Sequence, residues 1–537
     1  MRKQSLKLAL VGPDQQENLA LAYLASAAEA AGHAATLVRF NGRADTDACC
    51  DALNRLAPDV VGVGIAFQYA IDDSLGLVAA LRRRGFRGHV TCGGHVPTFC
   101  YRELLAEAPG IDTAVRHEGE ETLVELLGLL AEGRPVRGIA GLVWREGEAA
   151  VAGPARPLPA DLDRLEPPKR PALPMTVGGV PIAFLITARG CVGECNYCSI
   201  RAFGRDAGGA PLRLRDPEAV ADEAFALYRD KRVRVLFVQD DLFILPSEGK
   251  TVDRVERLGR AMRDRGMGRA AFWVKGRPES ITPRVLEAIR EMGAIHVFLG
   301  VENASAARLE YLGRTHRPED NARAIALCRE HGVRPSFNLM MFDPDAALGD
   351  VATTIDFASA NVDLPWNACR TEIYSGTRLL KRLRAEGRLE GDYRSYGYTM
   401  RDLNAEIMFR IMRVSFHERA FAFDGLLNRL ISLSFARQVH ERFFPGPITQ
   451  VFSRDVDALI AEVHCDTVDE MRRTLDFASR ADPSDSEGVR AFAVEAALAM
   501  NARALPWNER FERLWGRLSS RGAALFAAQG GGRERAC

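Results

Sequence analysis

The chain has 537 residues, too many for one compact domain and enough for roughly three to four. Apolar residues make up 47% and charged residues 26%, which excludes a disordered chain. Seventy-one basic and 71 acidic residues cancel, which argues against a dedicated nucleic-acid or anionic-membrane surface while leaving room for a local patch.

Taken in chain order, the first 133 residues alternate strand and helix patterns. Strands are predicted at 6–11, 35–40, 60–67, 89–92 and 113–115, with helices at 18–31, 49–56, 71–84 and 121–132. This alternation predicts an α/β domain with a doubly wound parallel sheet, which takes its ligand at the carboxyl ends of the strands. Residues 134–178 carry Pro135, Pro154, Pro157, Pro159, Pro167, Pro168, Pro171 and Pro174 and read as an extended, proline-rich linker. Within it, 143–145 and 149–151 are expected to pair as a small hairpin. From 179 to 382 the alternation resumes, with strands at 182–187, 233–238, 271–274, 296–301, 335–342 and 368–373. Helices between them at 217–229, 251–265, 283–292, 306–312 and 318–331 complete a partial (β/α)6 barrel, its site at the strand carboxyl ends. Residues 383–537 form a helical C-terminal domain, with long apolar periodicity at 420–444, 455–478 and 489–505 and a frayed polar tail at 530–537. No apolar run approaches the ~18 residues of a spanning helix. Residues 1–5 lead into a strand without a cleavable signal pattern, so the expected compartment is the cytoplasm.

Eleven cysteines, odd in number and irregularly spaced, do not read as a disulfide framework. Three of them stand apart in the run Arg189, Gly190, Cys191, Val192, Gly193, Glu194, Cys195, Asn196, Tyr197, Cys198, which directly follows a predicted strand. Thiolates are the ligands of iron–sulfur clusters, and this spacing lets one loop wrap one cluster. Gly190 and Gly193 give the loop its freedom. Three ligands to a four-iron cluster leave one iron open for chemistry, whereas a structural zinc site needs a fourth ligand, and none lies nearby in sequence.

The C-x3-C-x2-C spacing after a strand resembles the radical S-adenosylmethionine (SAM) superfamily. The resemblance implies that Cys191, Cys195 and Cys198 hold a [4Fe-4S] cluster, that SAM chelates the open iron, and that one electron cleaves it to a 5′-deoxyadenosyl radical. Tyr197 occupies the aromatic position usual in that family. Gln239, Asp240 and Asp241 follow the second barrel strand, where relatives place groups near the SAM amine, and a carboxylate there accepts hydrogen bonds from an ammonium. By the same resemblance Lys275 or Arg277 faces the SAM carboxylate, Glu302 the ribose hydroxyls, and Asn338, with Met340, the adenine region.

In the first domain Gly93, Gly94, His95, Val96, Pro97 and Thr98 follow a strand, and Glu118, Gly119, Glu120, Glu121 and Thr122 come about 20 residues later. Glycines there permit close backbone approach to a ligand. With the barrel that follows, this order resembles the cobalamin-binding domain fused to many radical SAM enzymes. The resemblance implies cofactor contacts from Gly93, Gly94, His95, Thr98, Glu118 and Gly119, and from Phe67 and Gln68 against the corrin or its nucleotide tail. Residues 12–18 contain no histidine, so no histidine ligand to cobalt is expected from the first loop. His95 and His117 read as turn or nucleotide contacts.

Over residues 5–380 the order of domains resembles the class B radical SAM methyltransferases. The implied reaction uses one SAM to methylate cobalamin and another to generate the radical, which opens an unactivated carbon of a small-molecule or peptide substrate to the methyl group. A cobalamin-dependent cyclase or ring-rearranging oxidase shares every motif, and a non-catalytic cobalamin or iron–sulfur sensor is a third reading. An external electron donor such as flavodoxin or ferredoxin is expected as partner, with neither nucleic acid nor membrane. Trp366, Tyr374, Tyr393, Tyr396 and Tyr398 are candidates for substrate stacking or for plain packing. Cys369 and Tyr374 are the candidate catalytic side chains near the barrel mouth. Cys49, Cys50, Cys328 and Cys465 lie in predicted helices and are expected to be small buried hydrophobes. Cys92 and Cys100 flank the glycine turn, and Cys537 is terminal.

Overall fold

The structure is a computed structural model and describes residues 5–530; Cys537 and the tail beyond Gly530 lie outside the described residues. The chain begins β1 (Lys7–Gly12), α1 (Leu19–Ala30), β2 (Ala34–Arg39), α2 (Thr46–Leu56), β3 (Val60–Gly64) and α3 (Ile71–Arg83). It continues β4 (His89–Gly93), α4 (His95–Glu107), β5 (Thr113–Val115), α5 (Glu120–Ala131), β6 (Leu142–Glu146) and β7 (Ala149–Ala152). Next come β8 (Met175–Val177), β9 (Val180–Leu185), β10 (Ala188–Gly190), α6 (Ser199–Ala207), β11 (Leu212–Leu214) and α7 (Pro217–Asp230). Then follow β12 (Val235–Val238), α8 (Glu248–Asp264), β13 (Ala271–Gly276), α9 (Pro283–Met292), β14 (Ala294–Glu302) and α10 (Ala306–Tyr311). After α11 (Pro318–Glu330) come β15 (Arg334–Phe342), α12 (Leu348–Ser359), β16 (Trp366–Arg370), α13 (Arg378–Ala385), β17 (Glu390–Asp392) and β18 (Ser395–Gly397). The helices α14 (Leu403–Ser415), α15 (Leu426–Phe443), α16 (Pro447–Arg480) and α17 (Ser486–Gly530) end the described chain.

These elements form two compact units. The first comprises the chain up to Ala172 together with Ala188–Arg215 and Glu372–Tyr398. Its sheet has the order β2-β1-β3-β4-β5-β6-β7, with β1 to β5 parallel. The order reverses between β1 and β3, the switch point at which such sheets take ligands. One face of the sheet packs α2, α3 and α4 around Cys50, Leu77 and Leu104, and the other packs α1 and α5 around Ala25 and Leu126. A sheet covered on both faces needs strands that are apolar throughout, and β3, Val60–Gly64, is such a strand. The expected hairpin forms as β6 and β7, and it pairs antiparallel with β5, so part of the 134–178 segment is folded into this sheet rather than being linker.

The second unit comprises Leu173–Thr187, Asp216–Thr371 and the chain from Thr399 onward. Six parallel strands, β9 and β12 to β16, curl into an open half-barrel, with β8 antiparallel at one edge. Phe184, Phe237, Trp273 and His296 are partners in register and share one face; Phe237 stacks on Trp273 at 3.9 Å between centroids. Ser336, Asn338, Met340, Asn367 and Cys369 fall on that same face by the two-residue alternation. The helix α15 fills the lower part of this face. Phe435 meets Phe237 and His296 edge-on at 5.9 and 5.7 Å, His296 Nδ1 lies 3.2 Å from Gln438 Oε1, and Asn428 Oδ1 accepts from Asn367 at 2.8 Å. Such an arrangement makes part of the C-terminal helical region a component of the barrel core. The helix expected at 420–444 starts later, at Leu426, because a π-turn at His417–Phe421 interrupts it. Phe435→Ala should destabilise this unit by about 3–5 kcal/mol, because a buried aromatic facing two ring edges leaves a cavity that the sheet cannot close. Denaturant unfolding followed by circular dichroism checks the loss.

Candidate functional site

The cysteine loop belongs to the first unit. The strands β10 and β11 pair antiparallel with Arg189 opposite Arg213. Two like charges across a ladder repel, and the sheet tolerates them here because carboxylates lie between them. Arg189 donates to Glu118 at 3.0 Å and to Glu120 at 2.8 Å, and Arg213 donates to Glu118 at 2.6 and 3.0 Å. Burial alone would raise the Glu118 carboxyl, yet the two guanidinium groups hold it below the usual carboxylate range. Arg189 also covers the Tyr23 ring at 4.8 Å. Gly190, at φ +87, has its missing Cβ 2.2 Å from the Pro211 carbonyl oxygen, so only glycine lets the strand turn into the loop.

Beyond that turn Cys191, Cys195 and Cys198 are all partly exposed, and so is Tyr197. Among the described residues no three His, Cys, Asp or Glu side chains gather tightly enough to hold a metal ion, so the thiols share a loop without sharing a point. Their setting nonetheless fits a cluster. The Gly193 N–H donates to Cys191 Sγ at 3.3 Å, and Cys198 is the N-cap of α6, where the helix dipole favours a thiolate. The other thiols differ. Burial pushes Cys49, Cys92 and Cys328 up to about 12 and Cys100 up to about 11, which keeps them protonated. Cys465, expected to be buried, is exposed because its face of α16 turns to solvent.

The glycine turn closes the same unit. Gly94, at φ +117, lies so close to β3 that a Cβ would sit 2.6 Å from the Ile65 carbonyl oxygen. Thr98 is buried; it donates to the Gly94 carbonyl at 2.8 Å and accepts from the His117 N–H at 2.9 Å, locking the turn to the strand end that carries Glu118. His95 lies tilted against Phe203 of α6 at 4.7 Å, and His117 meets the same ring edge-on at 5.2 Å and lies 2.8 Å from Asp206 through Nε2. Burial, then the neighbouring His117, lowers His95 to about 4. The Nδ1 atoms of both histidines are buried without a partner, which suits a polar ligand bound over the turn. Phe67 is 48% exposed and stacks on Tyr69, so it takes no part in the core, and Gln68 donates to the Tyr393 carbonyl at 3.1 Å. A Cβ at Gly119, the N-cap of α5, would meet Leu24 at 3.2 Å and Val115 at 3.3 Å, and one at Gly93 would meet Val115 at 3.7 Å.

In the second unit the expected SAM contacts differ in burial and in partners. Asp240 is fully buried and accepts from the Thr187 N–H at 2.7 Å and from the Thr187 hydroxyl, with Arg254 3.8 Å away. Asp241 beside it is exposed. Arg277 is taken up by Glu279 at 2.8 Å and Thr315 at 2.9 Å, whereas burial lowers Lys275 against the pull of Asp241 and Asp240. Gln239 continues the sheet by donating its N–H to Leu185 at 2.9 Å. Glu302 sits at a bulge with φ +65, an uncommon conformation for glutamate, and lies 3.7 Å from Arg314. Asn338 Oδ1 is a buried acceptor without a partner, a vacancy in hydrogen bonding that an adenine amine fits.

Cys369 lies beside Met340 on the concave face, in the second unit. Tyr374, in the first, donates to Glu372. Three of the other aromatics pack: Trp366 is fully buried against His464, Tyr393 is buried and donates to Glu107 at 2.6 Å, and Tyr398 is buried. Sequence reasoning missed Arg254, Arg314 and Asp343. An arginine inside the apolar stripe of a helix, as Arg254 is in α8, was the one signal on offer.

A B12 binding domain model matches residues 8–127, and a radical SAM superfamily model matches residues 185–358. An uncharacterised methyltransferase of Pyrococcus horikoshii is 29% identical over 333 residues, 61% of this chain and 70% of that protein. An anaerobic magnesium-protoporphyrin IX monomethyl ester cyclase of Cereibacter sphaeroides is 30% identical over 307 residues, 53% of this chain and 46% of that one; the chain thus spans about half the length of this relative. Among solved structures, the cobalamin-dependent S-adenosylmethionine radical enzyme OxsB, with aqua-cobalamin and SAM bound, superposes with a TM-score of 0.62 at 16% identity, covering 97% of this chain and 84% of its own. The radical SAM methyltransferase TsrM of Kitasatospora setae, with tryptophan and a SAM analogue bound, gives 0.61 at 21%, covering 74% and 80%. The fold is therefore the one these cobalamin-dependent radical proteins share. This chain carries a B12-binding domain followed by a radical SAM domain.

Asp343, just past β15, is buried with Oδ2 unpartnered and Oδ1 3.2 Å from Arg308. Burial raises its carboxyl from 3.8 to about 6, outweighing Arg308. Between pH 4 and 6 the folded chain therefore keeps a proton that the unfolded chain has lost, and rising pH removes stability across that window. Relative to Asp343→Asn, the wild type should lose about 2–3 kcal/mol from pH 4 to 6. Parallel denaturant titrations of the two proteins at several pH values measure the difference.

Proposed function

We propose that the chain is a methyltransferase that moves a methyl group from SAM, by way of cobalamin, to an unactivated carbon of a small-molecule or peptide substrate, in the cytoplasm and in specialised metabolism. The observation that carries this reading is the anchoring of the cysteine loop, through Arg189, on Glu118 and Glu120 of the B12-binding unit. A reaction that needs both cofactors needs their binding elements held as one body. When bound, the cluster and SAM supply a hydrogen-abstracting radical, and cobalamin carries the methyl group. Cys191, Cys195 and Cys198 hold the iron, with Tyr197 covering the loop. Asp241 accepts from the SAM ammonium while Asp240 positions Thr187; Lys275 faces the SAM carboxylate while Arg277 braces Glu279. Gln239 lines the same strand end, Glu302 takes the ribose hydroxyls, and Asn338 the adenine amine. The B12-binding unit supplies Phe67, Gln68, Gly93, Gly94, His95, Thr98, Glu118 and Gly119 around cobalamin, with no histidine ligand to cobalt from residues 12–18. Cys369 is the candidate proton or hydrogen-atom donor on the concave face, and Tyr374 orients Glu372.

The methyltransferase relative, matched over 70% of its own length against 46% for the cyclase, favours methyl transfer. The 30% identity of that cyclase keeps radical cyclisation as the second reading. The two differ in products. Reconstituted protein given methyl-labelled SAM and a metabolite extract from a strain lacking the gene should release S-adenosylhomocysteine with 5′-deoxyadenosine and label a new metabolite. Release of 5′-deoxyadenosine alone, with an unlabelled product, would assign it to the cyclases.

A further inference from the structure

Within the second unit, a cleft of about 610 Å³ opens between the end of α15 and the start of α16. Arg437 and Glu441 of α15 form one wall, and Gln450, Arg454 and Asp457 of α16 form the other. It lies beside Arg334, the first residue of β15, at the strand end away from Asp343.

The hydrogen-bonding groups of this cleft are unevenly matched. Arg437 is 4% exposed, and its Nη1 donates to Glu441 at 3.1 Å and to Asp457 at 3.3 Å. Its Nε is buried without a partner, a donor that native structures seldom leave unmet. Both carboxylates have other claims on them: Glu441 accepts from the Ser453 hydroxyl at 2.6 Å, and Asp457 accepts from Arg334. Burial, then repulsion from Arg334, lowers the Arg437 guanidinium by more than Glu441 and Asp457 raise it. More donors come from α16. Gly446, its N-cap, has no side chain to cap the first turn, which leaves the N–H groups of Ile448 and Thr449 pointing out of the helix end. Within two turns of that end, Arg454 is exposed and pairs with no carboxylate among the described residues. Arg521 donates to the Thr449 hydroxyl at 3.1 Å and brings a fourth cation to a place with two carboxylates.

A cleft of this size takes a small organic molecule rather than a lone ion. Guanidinium forks and helix N–H groups gathered in one place fit a tetrahedral phosphate, which accepts from several directions at once. We infer that the cleft binds a small phosphate monoester, its phosphate held by Arg437 Nε, Arg454 and the first turn of α16. The phosphate supplies the anion that Arg437 lacks and ties α15 to α16. Because α15 also fills the concave face of the half-barrel through Phe435 and Gln438, occupancy stabilises the second unit as a whole.

The test uses the full chain, titrated by calorimetry with glycerol 3-phosphate and, separately, with succinate at equal ionic strength. The wild type should bind glycerol 3-phosphate saturably and unfold at a higher temperature in its presence, and succinate should bind about tenfold more weakly. Arg454→Glu, a change at an exposed position, should weaken glycerol 3-phosphate binding by about tenfold or more. Arg437→Lys, which keeps the charge but removes the Nε donor, should weaken it as well. Arg290→Glu, an exposed reversal on α9, should leave the affinity unchanged. No saturable binding to the wild type, unchanged binding in Arg454→Glu, or an equal loss in Arg290→Glu would overturn the inference. Succinate binding as tight as that of glycerol 3-phosphate would overturn the assignment to phosphate.

Discussion

Glu118 between Arg189 and Arg213 is the interaction on which the site depends. The arginines face each other across β10 and β11, a placement that repels unless an anion joins it. The anion comes from the residue before Gly119 and α5, at the end of the B12-type sheet, and Glu120 in the first turn of α5 takes the second arm of Arg189. Removing one partner would leave a largely buried charge uncompensated, an expensive defect. The network thus specifies where the chain goes after Arg189, which is the start of the cysteine loop.

From that anchor the rest of the first unit follows. Thr98 ties the glycine turn to His117, one residue before Glu118, so the ligand-facing loop of the sheet and the acidic pair move together. Through Phe203, α6 packs on both histidines, and through Asn196 and Glu194 the loop receives α13. In the second unit, Asp240 and Arg254 do the same work for Thr187, the last residue before the chain enters β10. Polar groups buried at strand ends set the loops, and the apolar sheet faces only support them.

Much of this was legible in the sequence. Strand–helix alternation predicts both sheets because their periods differ sharply, and the cysteine spacing and glycine turn stand out because few residues can replace them. Side-chain allegiance was not legible. Asp240 and Asp241 are neighbours of the same type, yet one is sunk against Thr187 and the other faces solvent. Lys275 and Arg277 part in the same way, since Glu279 and Thr315 claim only the arginine. The pairing of Glu118 with Arg189 spans 71 positions, and no local pattern reports it. Nor does periodicity reveal that α15 fills the concave face, because its buried residues surround the helix.

The most direct test of the account is the iron and cobalamin retained by Glu118→Gln combined with Glu120→Gln, after anaerobic reconstitution and gel filtration. If the acidic pair holds the cysteine loop, the variant should keep its circular dichroism spectrum but lose most of its iron, and its cobalamin should bind more weakly. Full iron and full cobalamin in that variant would contradict the account, because the loop would then be held by something other than this ion network.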